Sequence, residues 1–371
     1  MLKLQDAKQD EPEVKLEIVD LWQGLDDVPT RPVIVEGLLQ RGVVTFVVGK
    51  GASAKSLFAQ SIGLMVASGK PWTHWEPRAP GSVMIVNAED DLDEQRRRLS
   101  ATRDSFDARP IKPLQAVDLS QNVLFALSPE QRPEKTGAFM ALERAIRDHR
   151  PDVVIIDPLV EHHALNENDN GHMALVVGAL RRLARECECA LLIVHHGRKG
   201  ASGGDQDGAR GASALVNAAR AAITMEPMTD EQAKMLSEKE RENQRAYICV
   251  ADAKMNYALR LGQRFLRLQG YEHANGESYP ALVAPKENLL PDDDEIVRFL
   301  AGKNFSASTR GPKMGRADAQ VAARWQVSPI KAKQRLEDME RRNLIHKAVI
   351  KDAKGNEKHV IAVGGTQGNL V

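Results

Sequence analysis

The stretch "VVGKGASAKSLFAQ", residues 47–60, has residue types and a spacing that could bind phosphate groups. Gly49, Lys55 and Ser56 stand in the register of the pattern G-x-x-x-x-G-K-[ST]. In such a loop the backbone N–H groups point at the phosphates, the lysine reaches the β and γ phosphates, and the hydroxyl holds Mg²⁺. The sequence predicts a nucleotide-binding loop made of Gly49, Gly51, Ala52, Ser53, Ala54, Lys55, Ser56 and Leu57.

Ala54 is where this loop departs from the pattern, because it occupies the position of the second glycine. Alanine adds only a methyl group, so we expect the loop to tolerate it if residue 54 does not need a positive φ angle. A strand-like run leads into the loop, and a helical stretch over residues 56–69 follows it. Strand, loop and helix in this order are the context in which such a loop binds phosphate.

Two carboxylates could complete a site for nucleotide hydrolysis. Asp157 ends the apolar run "PDVVIIDP" and is the candidate for the carboxylate on the metal side. Glu89 ends the run "GSVMIVNAE" and could polarise an attacking water, with Asp90 as its competitor. The carboxyl ends of parallel strands meet at one edge of a sheet, where ligands bind in folds of this kind. We therefore expect Glu89 and Asp157 to lie beside the loop.

His195 and His196 end a further apolar run, "CALLIVHH", and one of them could sense the γ-phosphate. Adjacent residues of a strand point to opposite faces of the sheet. Only one of the two should therefore reach the nucleotide, and the sequence leaves open which one. Mg²⁺ prefers oxygen ligands, which disfavours a role for these imidazoles in binding that metal.

The elements that must position these residues follow from hydrophobic patterning between residues 31 and 270. Short apolar runs alternate there with helical stretches, and continuous apolar strands between helices indicate a mainly parallel sheet covered on both faces. The sequence therefore predicts an α/β core with a doubly wound sheet. The predicted strands are 42–49, 81–89, 151–158, 189–196, 218–225 and 245–253.

The pattern changes near residues 287–295. Beyond this point three helical stretches precede a hairpin that turns at residues 354–356, which is the order of a winged helix. Pro329 would be the first residue of the third helix, with Ser328 as its N-cap. We predict an N-terminal arm (1–30), an ATPase domain (31–285), a winged-helix domain (291–363) and a disordered tail (364–371).

The formal net charge of the 371 residues is zero, so global charge gives no indication of nucleic-acid binding. Residues 301–360 are an exception, with 14 Lys or Arg against 6 Asp or Glu. Winged helices commonly lay their third helix in the major groove of DNA and touch phosphates with the hairpin, although many bind only proteins. The candidate DNA-binding residues here are Lys331, Lys333, Arg335 and Lys354.

Other features of the sequence bear on its compartment. Its apolar runs are far shorter than a membrane span, and the charged N-terminus does not resemble a signal peptide. Three cysteines do not form a disulfide framework, and Cys187 and Cys189 have no second Cys/His pair at zinc spacing. We expect a cytoplasmic protein without a membrane partner.

Several segments in one order resemble a known family: "GKGASAKS", "NAEDD", "VVIIDPL", "NENDN", "IVHHGRK", "RGASALVNAAR" and "AKMNY". Between about residues 30 and 270 the chain is similar to the RepA-like replicative DNA helicases of plasmids, phages and integrated elements. The resemblance implies a RecA-like P-loop ATPase that forms a ring, as a hexamer, and uses ATP and Mg²⁺ to translocate on single-stranded DNA. Ala54 departs from the family pattern, and we expect it to affect ATP turnover more than ATP binding.

The resemblance also implies roles for residues around the loop. Lys55 and Ser56 would contact phosphate and Mg²⁺, Glu89 would be the catalytic base, and Asp157 would be the metal-side carboxylate. His195 or His196 would couple the state of the nucleotide to the loops that bind DNA.

Further roles would act between subunits or on DNA. Arg220 resembles the arginine that is inserted into the neighbouring subunit's site, with Arg210 as the alternative. Lys254 could be a second residue that acts on the neighbour. Arg198 and Lys199 begin the glycine-rich stretch "GRKGASGGDQDGA" and would grip single-strand phosphates in the channel.

Two alternatives share some of these motifs. An ATP-switched DNA-binding regulator or helicase loader, without unwinding activity, would need the same nucleotide site. Lys50 also fits the deviant loop of partition ATPases of the ParA type, in which an extra lysine crosses a dimer interface. The later motifs of that type differ from "IIDPL" and "HHGRK", so we favour the helicase.

Overall fold

The structure is a computed structural model, and the residues that it describes are 18–20, 22–119, 122–167, 169–196, 219–236, 238–256, 262–285, 293–307, 315–325, 327, 329–351 and 355–363. The chain forms two compact units, Met1–Pro32 and Val33–Val371. In the first unit, the described residues include a short 3-10 helix, Leu25–Asp27, and an exposed Trp22. All elements below belong to the second unit.

The strands of the second unit begin with two that form a small hairpin, β1 and β2. In chain order they are β1 Val33–Val35, β2 Leu39–Gln40, β3 Val44–Gly49, β4 Val83–Asn87, β5 Leu114–Val117, β6 Phe125–Leu127, β7 Pro133–Lys135, β8 Val153–Asp157, β9 Ala190–His196, β10 Ala221–Pro227, β11 Tyr247–Met255, β12 Gln263–Glu272, β13 Ser278–Val283, β14 Ile345–Lys351 and β15 Glu357–Val363.

The helices alternate with the strands in the first part of this unit and cluster near its end. They are α1 Lys55–Ser68, α2 Leu92–Phe106, α3 Gly137–His149, α4 Asn170–Glu186, α5 Asp230–Ala233, α6 Glu238–Arg241, α7 Asp293–Leu300, α8 Ala317–Arg324 and α9 Pro329–Arg341. No helix in the part of the chain that the structure describes has the length and apolar character needed to cross a membrane.

The central sheet of the described residues has nine strands in the order β13-β12-β11-β10-β3-β9-β8-β4-β5. The strands from β10 to β5 pair in parallel. The strands from β10 to β13 pair antiparallel and extend one side of the sheet. The predicted α/β class with a mainly parallel sheet is therefore confirmed, and each of the six predicted runs overlaps one strand of this sheet.

Both faces of the sheet are covered, as the continuous apolar strands require. On one face Val44, Phe46 and Val48 of β3 pack in a cluster with α3 and α4. On the other face Val47 packs with α1 and with two tryptophans, Trp72 and Trp75. Nearly all of α1 is buried, so the helix that follows the phosphate loop is fixed inside the core.

Among the described residues after 292 there are three helices and a pair of antiparallel strands, with a hydrophobic cluster of their own. Ile296 of α7, Val321 of α8, Leu336 of α9 and Ile345 of β14 are members of this cluster. Helix α9 begins at Pro329, as predicted, whereas Ser328 and residues 364–371 lie outside the described residues. The assignment of this region as a winged helix stays a prediction.

Candidate nucleotide site

The carboxyl ends of four neighbouring parallel strands carry the predicted catalytic and nucleotide-binding side chains. In the sheet register Gly49 at the end of β3 is opposite His196 at the end of β9. Asn87 at the end of β4 is opposite Asp157 at the end of β8. Strand β9 therefore separates the strand of the phosphate loop from the strand of Asp157.

The loop between β3 and α1 is strained at two alanines. Ala52 has a φ angle of 60° and Ala54 a φ angle of 57°, both in the left-handed region. The condition under which we expect the loop to tolerate Ala54, a residue 54 without a positive φ, is therefore not met. Residue 54 is the N-cap of α1, and its left-handed backbone turns the chain from the loop into the helix. An L-residue in this conformation costs roughly 1–2 kcal/mol relative to a right-handed one.

Gly49 is needed for a steric reason. A Cβ atom at this position would lie 2.2 Å from the carbonyl oxygen of Met225 and 2.7 Å from Ser53 Oγ. At Gly51, by contrast, a Cβ atom would meet no heavy atom within 4 Å. The first glycine of the pattern thus permits close packing against β10, while Gly51 faces open space.

Lys55 is buried at the start of α1, with its amine turned onto the loop itself. Its Nζ donates to the carbonyl oxygen of Lys50 at 2.7 Å, and Ser53 Oγ lies 3.4 Å away. Burial lowers the pKa of Lys55, while the charges of Asp157 and Glu89 oppose that shift. The cation that should meet phosphates is therefore held by a backbone acceptor of the same loop.

Ser56 and Asp157 form the predicted oxygen pair for a metal. Ser56 Oγ donates to Asp157 Oδ1 at 3.1 Å, and Asn87 Nδ2 donates to Asp157 Oδ2 at 3.4 Å. Asp157 is fully buried, and burial raises its pKa to about 7. Asn87 is a partner that sequence reasoning missed, although a polar residue at a strand end within "NAEDD" was a signal.

This pair fits Mg²⁺ in the manner of a phosphate-loop site. Hydroxyl and carboxylate oxygens are its preferred ligands, and Mg²⁺ usually takes only one or two ligands from protein and the rest from substrate phosphates and water. Among the described residues no group of three His, Cys, Asp or Glu could hold a metal ion. A site that shares its metal with a nucleotide is consistent with both observations.

Glu89 and His196 meet across the site. Glu89 Oε1 lies 3.2 Å from His196 Nε2, and the side chains are 41% and 37% exposed. The backbone N–H of Glu89 donates to Asn87 Oδ1 at 3.0 Å, which fixes the start of this segment. The competitor Asp90 turns away, since its Oδ2 accepts from Arg98 Nη1 at 2.5 Å. Of the carboxylates of Glu89 and Asp90, that of Glu89 therefore contacts the end of β9.

His195 lies on the opposite face of β9 from His196. It is 1% exposed, its Nδ1 is 3.7 Å from Glu167 Oε1, and burial lowers its pKa to about 4. His196 is the histidine of the two that contacts Glu89, and which of them reaches a nucleotide stays a prediction. Sequence reasoning did not single out Glu167, which lies in the segment "NENDN".

Arg220 and Lys254 are not beside the loop of their own chain. Ala221, next to Arg220, pairs with Thr45 at the start of β3, whereas Gly49 pairs with Met225. Lys254 pairs with Ala222 and lies at the same edge as Arg220. Burial and the charge of Arg220 lower the pKa of Lys254.

Among the other predicted residues, Arg198, Lys199, Arg210 and Lys354 lie outside the described residues, as does the side chain of Lys331. Arg335 Nη2 is 2.9 Å from Asp293 Oδ1, so its guanidinium is held against α7. Lys333 Nζ is 3.6 Å from Glu337 Oε1 one turn further along α9.

A comparison with known proteins identifies the family to which the chain is similar. A family model described as "AAA domain" matches residues 10–202. A solved DnaB-like replicative helicase, described together with its interactions with primase, is 12% identical with a TM-score of 0.46. That similarity covers 71% of this chain and 66% of the helicase chain, so this chain spans just under two thirds of its length.

A second similar structure is the KaiC-like protein PH0186 from the hyperthermophilic archaeon Pyrococcus horikoshii OT3. It is 12% identical with a TM-score of 0.41, over 68% of this chain and 99% of that chain. The match to the family model is the broader sequence evidence, because it extends over more than half of the chain and includes the phosphate loop and the ends of β4, β8 and β9. The chain belongs to the AAA domain family.

Proposed function

We propose that the chain is an ATP-dependent DNA helicase of the RepA-like type, a ring-shaped motor that serves the replication of a mobile element. One observation carries the proposal. The phosphate loop, the Ser56–Asp157 pair and the Glu89–His196 contact lie at adjacent strand ends of one sheet. These are the parts that ATP hydrolysis requires from a single subunit. The succession of family-like segments after the loop supports the assignment to a helicase.

Binding of ATP begins at the loop. The N–H groups at the start of α1 and the positive end of its dipole attract the phosphates. Lys55 exchanges the Lys50 carbonyl oxygen for phosphate oxygens, which removes the hydrogen bond that now holds its amine. Ser56 and Asp157 would hold Mg²⁺, which, when bound, neutralises charge on the phosphates.

Glu89 is the residue that we assign as general base. Its carboxylate, which borders open solvent, orients a water molecule for attack on the γ-phosphate and accepts the proton. In the present structure one of its oxygens contacts His196. His196 thus helps to fix the orientation of Glu89, and a movement of β9 that follows the nucleotide state would change the position of the base.

Arg220 serves a neighbouring subunit in this proposal. Five residues separate it from Met225, which pairs with Gly49, so it lies roughly 16 Å along the sheet from its own phosphate loop. That separation is too large for contact with a nucleotide bound to the same chain. A permanent positive charge at the far edge suits an arginine that completes the next site of a ring, with Lys254 beside it. Arg210 remains the alternative.

Two regions would contact DNA. Arg198 and Lys199, directly after β9, would bind single-strand phosphates in the channel of a hexameric ring. Lys331, Lys333 and Lys354 of the proposed winged helix would contact double-stranded DNA. Arg335 would support that surface through Asp293 rather than bind DNA itself.

A second function keeps the same site without unwinding. The amine of Lys55 is bound to the Lys50 carbonyl oxygen, which describes a resting state in which this group does not face a substrate. Such a resting state suits an ATP-switched DNA-binding regulator or helicase loader. Unwinding activity distinguishes this function from the first.

The experiment that tests the proposal is steady-state ATP hydrolysis with and without single-stranded DNA, followed by unwinding of a forked duplex. Lys55→Ala and Arg220→Ala are compared with Arg109→Ala, which changes an exposed arginine away from the site. We expect DNA to stimulate hydrolysis strongly and both test variants to lose it. Hydrolysis that ignores DNA or survives Arg220→Ala would refute a ring motor, and DNA-stimulated hydrolysis without unwinding would support the regulator.

A further inference from the structure

Glu167 reaches the face of β9 that is turned away from the nucleotide site. Its Oε1 lies 3.7 Å from His195 Nδ1 and 3.6 Å from His163 Nε2. All three atoms are buried, and none has a hydrogen-bond partner among the described residues. Unpaired buried polar atoms are uncommon and call for an explanation. Their convergence on one point indicates that they act together.

The protonation of this cluster follows from its contacts. The N–H of Leu165 donates to His163 Nδ1 at 3.2 Å, so a neutral His163 carries its proton on Nε2, facing Glu167. The contact with His163, before any other cause, lowers the pKa of Glu167. Burial keeps His195 neutral at pH 7. The carboxylate of Glu167 therefore lies between two imidazole rings.

The backbone on both sides of Glu167 is anchored. Leu165 packs in the core cluster beneath the sheet, and the Ala164 N–H donates to the Phe125 carbonyl oxygen at 2.9 Å. Two residues beyond Glu167, Asp169 caps α4 by accepting from the N–H groups of Gly171 and His172. The carboxylate therefore has a defined position relative to β9.

The end of β9 transmits this position to the nucleotide site. His195 pairs with Val48 and His196 with Gly49, so both are part of the sheet next to the phosphate loop. A displacement of His195 by half an ångström would move His196 relative to Glu89, whose contact is already at the limit of a good hydrogen bond. Small errors in the position of a reacting group can cost about a hundredfold in rate.

From this arrangement we infer that Glu167 is a positioning residue for ATP hydrolysis, which holds the end of β9 through His195 so that His196 meets Glu89. The inference rests on the proposed ATPase function and adds to it a carboxylate that touches neither nucleotide nor metal. The distances of 3.6 and 3.7 Å exceed those of direct hydrogen bonds, so the carboxylate holds the two rings through electrostatic contacts or a bridging water.

The test compares Glu167→Gln with Glu161→Gln. Glu161 is an exposed glutamate six positions before Glu167. For Glu167→Gln we expect kcat to fall by about tenfold or more, with the KM for ATP within about twofold of wild type. Glu161→Gln should leave both unchanged. Glu167→Asp keeps the charge and should recover part of the lost kcat. The melting temperature of each variant shows whether the fold is retained.

If Glu167→Gln is less stable than wild type, a loss of kcat in that variant alone could reflect partial unfolding. A double-mutant cycle with His195 then tests the inference. If Glu167 acts through His195, Glu167→Gln combined with His195→Asn should lower kcat no more than the worse single variant. Losses that multiply, or a Glu167→Gln enzyme as active as Glu161→Gln, would overturn the inference alone. A wild-type chain that hydrolyses no ATP would instead refute the proposed function, and the positioning role with it.

Discussion

Glu89 Oε1 lies 3.2 Å from His196 Nε2, and this contact joins the ends of two strands, β4 and β9, that are separated in the sheet by β8. The carboxylate assigned as the base is therefore in contact with the residue that precedes the glycine-rich stretch after β9. Any change at the end of β9 alters the surroundings of Glu89 directly.

The first prediction concerns this base. Glu89→Gln should lower kcat by about 10²- to 10⁴-fold while the affinity for ATP stays within about threefold, because the residue acts on water and not on the bound phosphates. Asp90→Asn is the control, since the Asp90 carboxylate is paired with Arg98 and does not contact His196 in the way that Glu89 does. Single-turnover hydrolysis and titration with a fluorescent ATP analogue measure the two quantities. Equal losses of kcat in both variants would contradict the assignment.

Gly49 and Gly51 give a matched pair of substitutions. Gly49→Ala should destabilise the protein by about 3 kcal/mol and abolish ATP binding, because its Cβ would meet the Met225 carbonyl oxygen at 2.2 Å. Gly51→Ala should leave stability within about 0.5 kcal/mol, since nothing lies within 4 Å of the added atom. Urea unfolding checks both. Similar costs at the two positions would show that the loop packs differently.

Ala54→Gly should stabilise the protein by about 1 kcal/mol, since glycine adopts the left-handed backbone of residue 54 without strain. Ala59→Gly in the middle of α1 should destabilise the protein by about 1 kcal/mol or more. Urea unfolding of the two variants beside wild type measures the change in the free energy of unfolding. A loss of stability in Ala54→Gly would argue against a strained residue 54.

The buried Asp157 predicts a pH dependence of stability. Its pKa is about 7 in the folded chain, whereas the usual pKa of an aspartate carboxyl group is 3.8. At pH values between these two, the folded state therefore binds more protons than the unfolded state. The free energy of unfolding of the metal-free protein should therefore fall as pH rises from 4 to 7, by up to roughly 4 kcal/mol. Asp157→Asn should remove this slope and be the more stable protein above pH 7.

The same shift predicts proton release on metal binding. Because Mg²⁺ requires the ionised carboxylate, binding of Mg²⁺ with nucleotide near pH 6.5 should release a fraction of a proton. Calorimetry in buffers with different ionisation enthalpies measures this fraction. Asp157→Asn should release none, and a wild-type protein that also releases none would show that Asp157 is already ionised.

Much of the fold could be predicted because its parallel strands are continuous apolar runs. Strands β3, β8 and β9 are buried on both faces, which leaves an unambiguous pattern in the sequence. Strands β12 and β13 were not predicted, since their mixed burial gives neither a continuous run nor a regular alternation. Their position in the sheet depends on pairing with β11, which no local pattern encodes.

The candidate site was predictable where each residue ends its own strand, as Glu89 and Asp157 do. That Glu89 contacts His196 and not His195 was not predictable, because it depends on which face of the sheet each of these histidines occupies. Glu167 had no local signal either, since its contact with His195 joins segments that are distant in the chain. The φ angle of Ala54 likewise depends on how the loop enters α1 and not on residue type.

The position of Arg220 at the edge opposite the phosphate loop has a genetic consequence under the proposed function. Each chain would contribute halves of two different sites, so defects in different halves should complement one another. A Lys55→Ala subunit placed beside an Arg220→Ala subunit would restore one intact site at their shared interface while spoiling the next. Two alleles, each inactive alone, would thus yield partial activity when expressed together. Either variant, mixed with wild-type subunits, would inhibit the ring in proportion to the fraction of variant subunits.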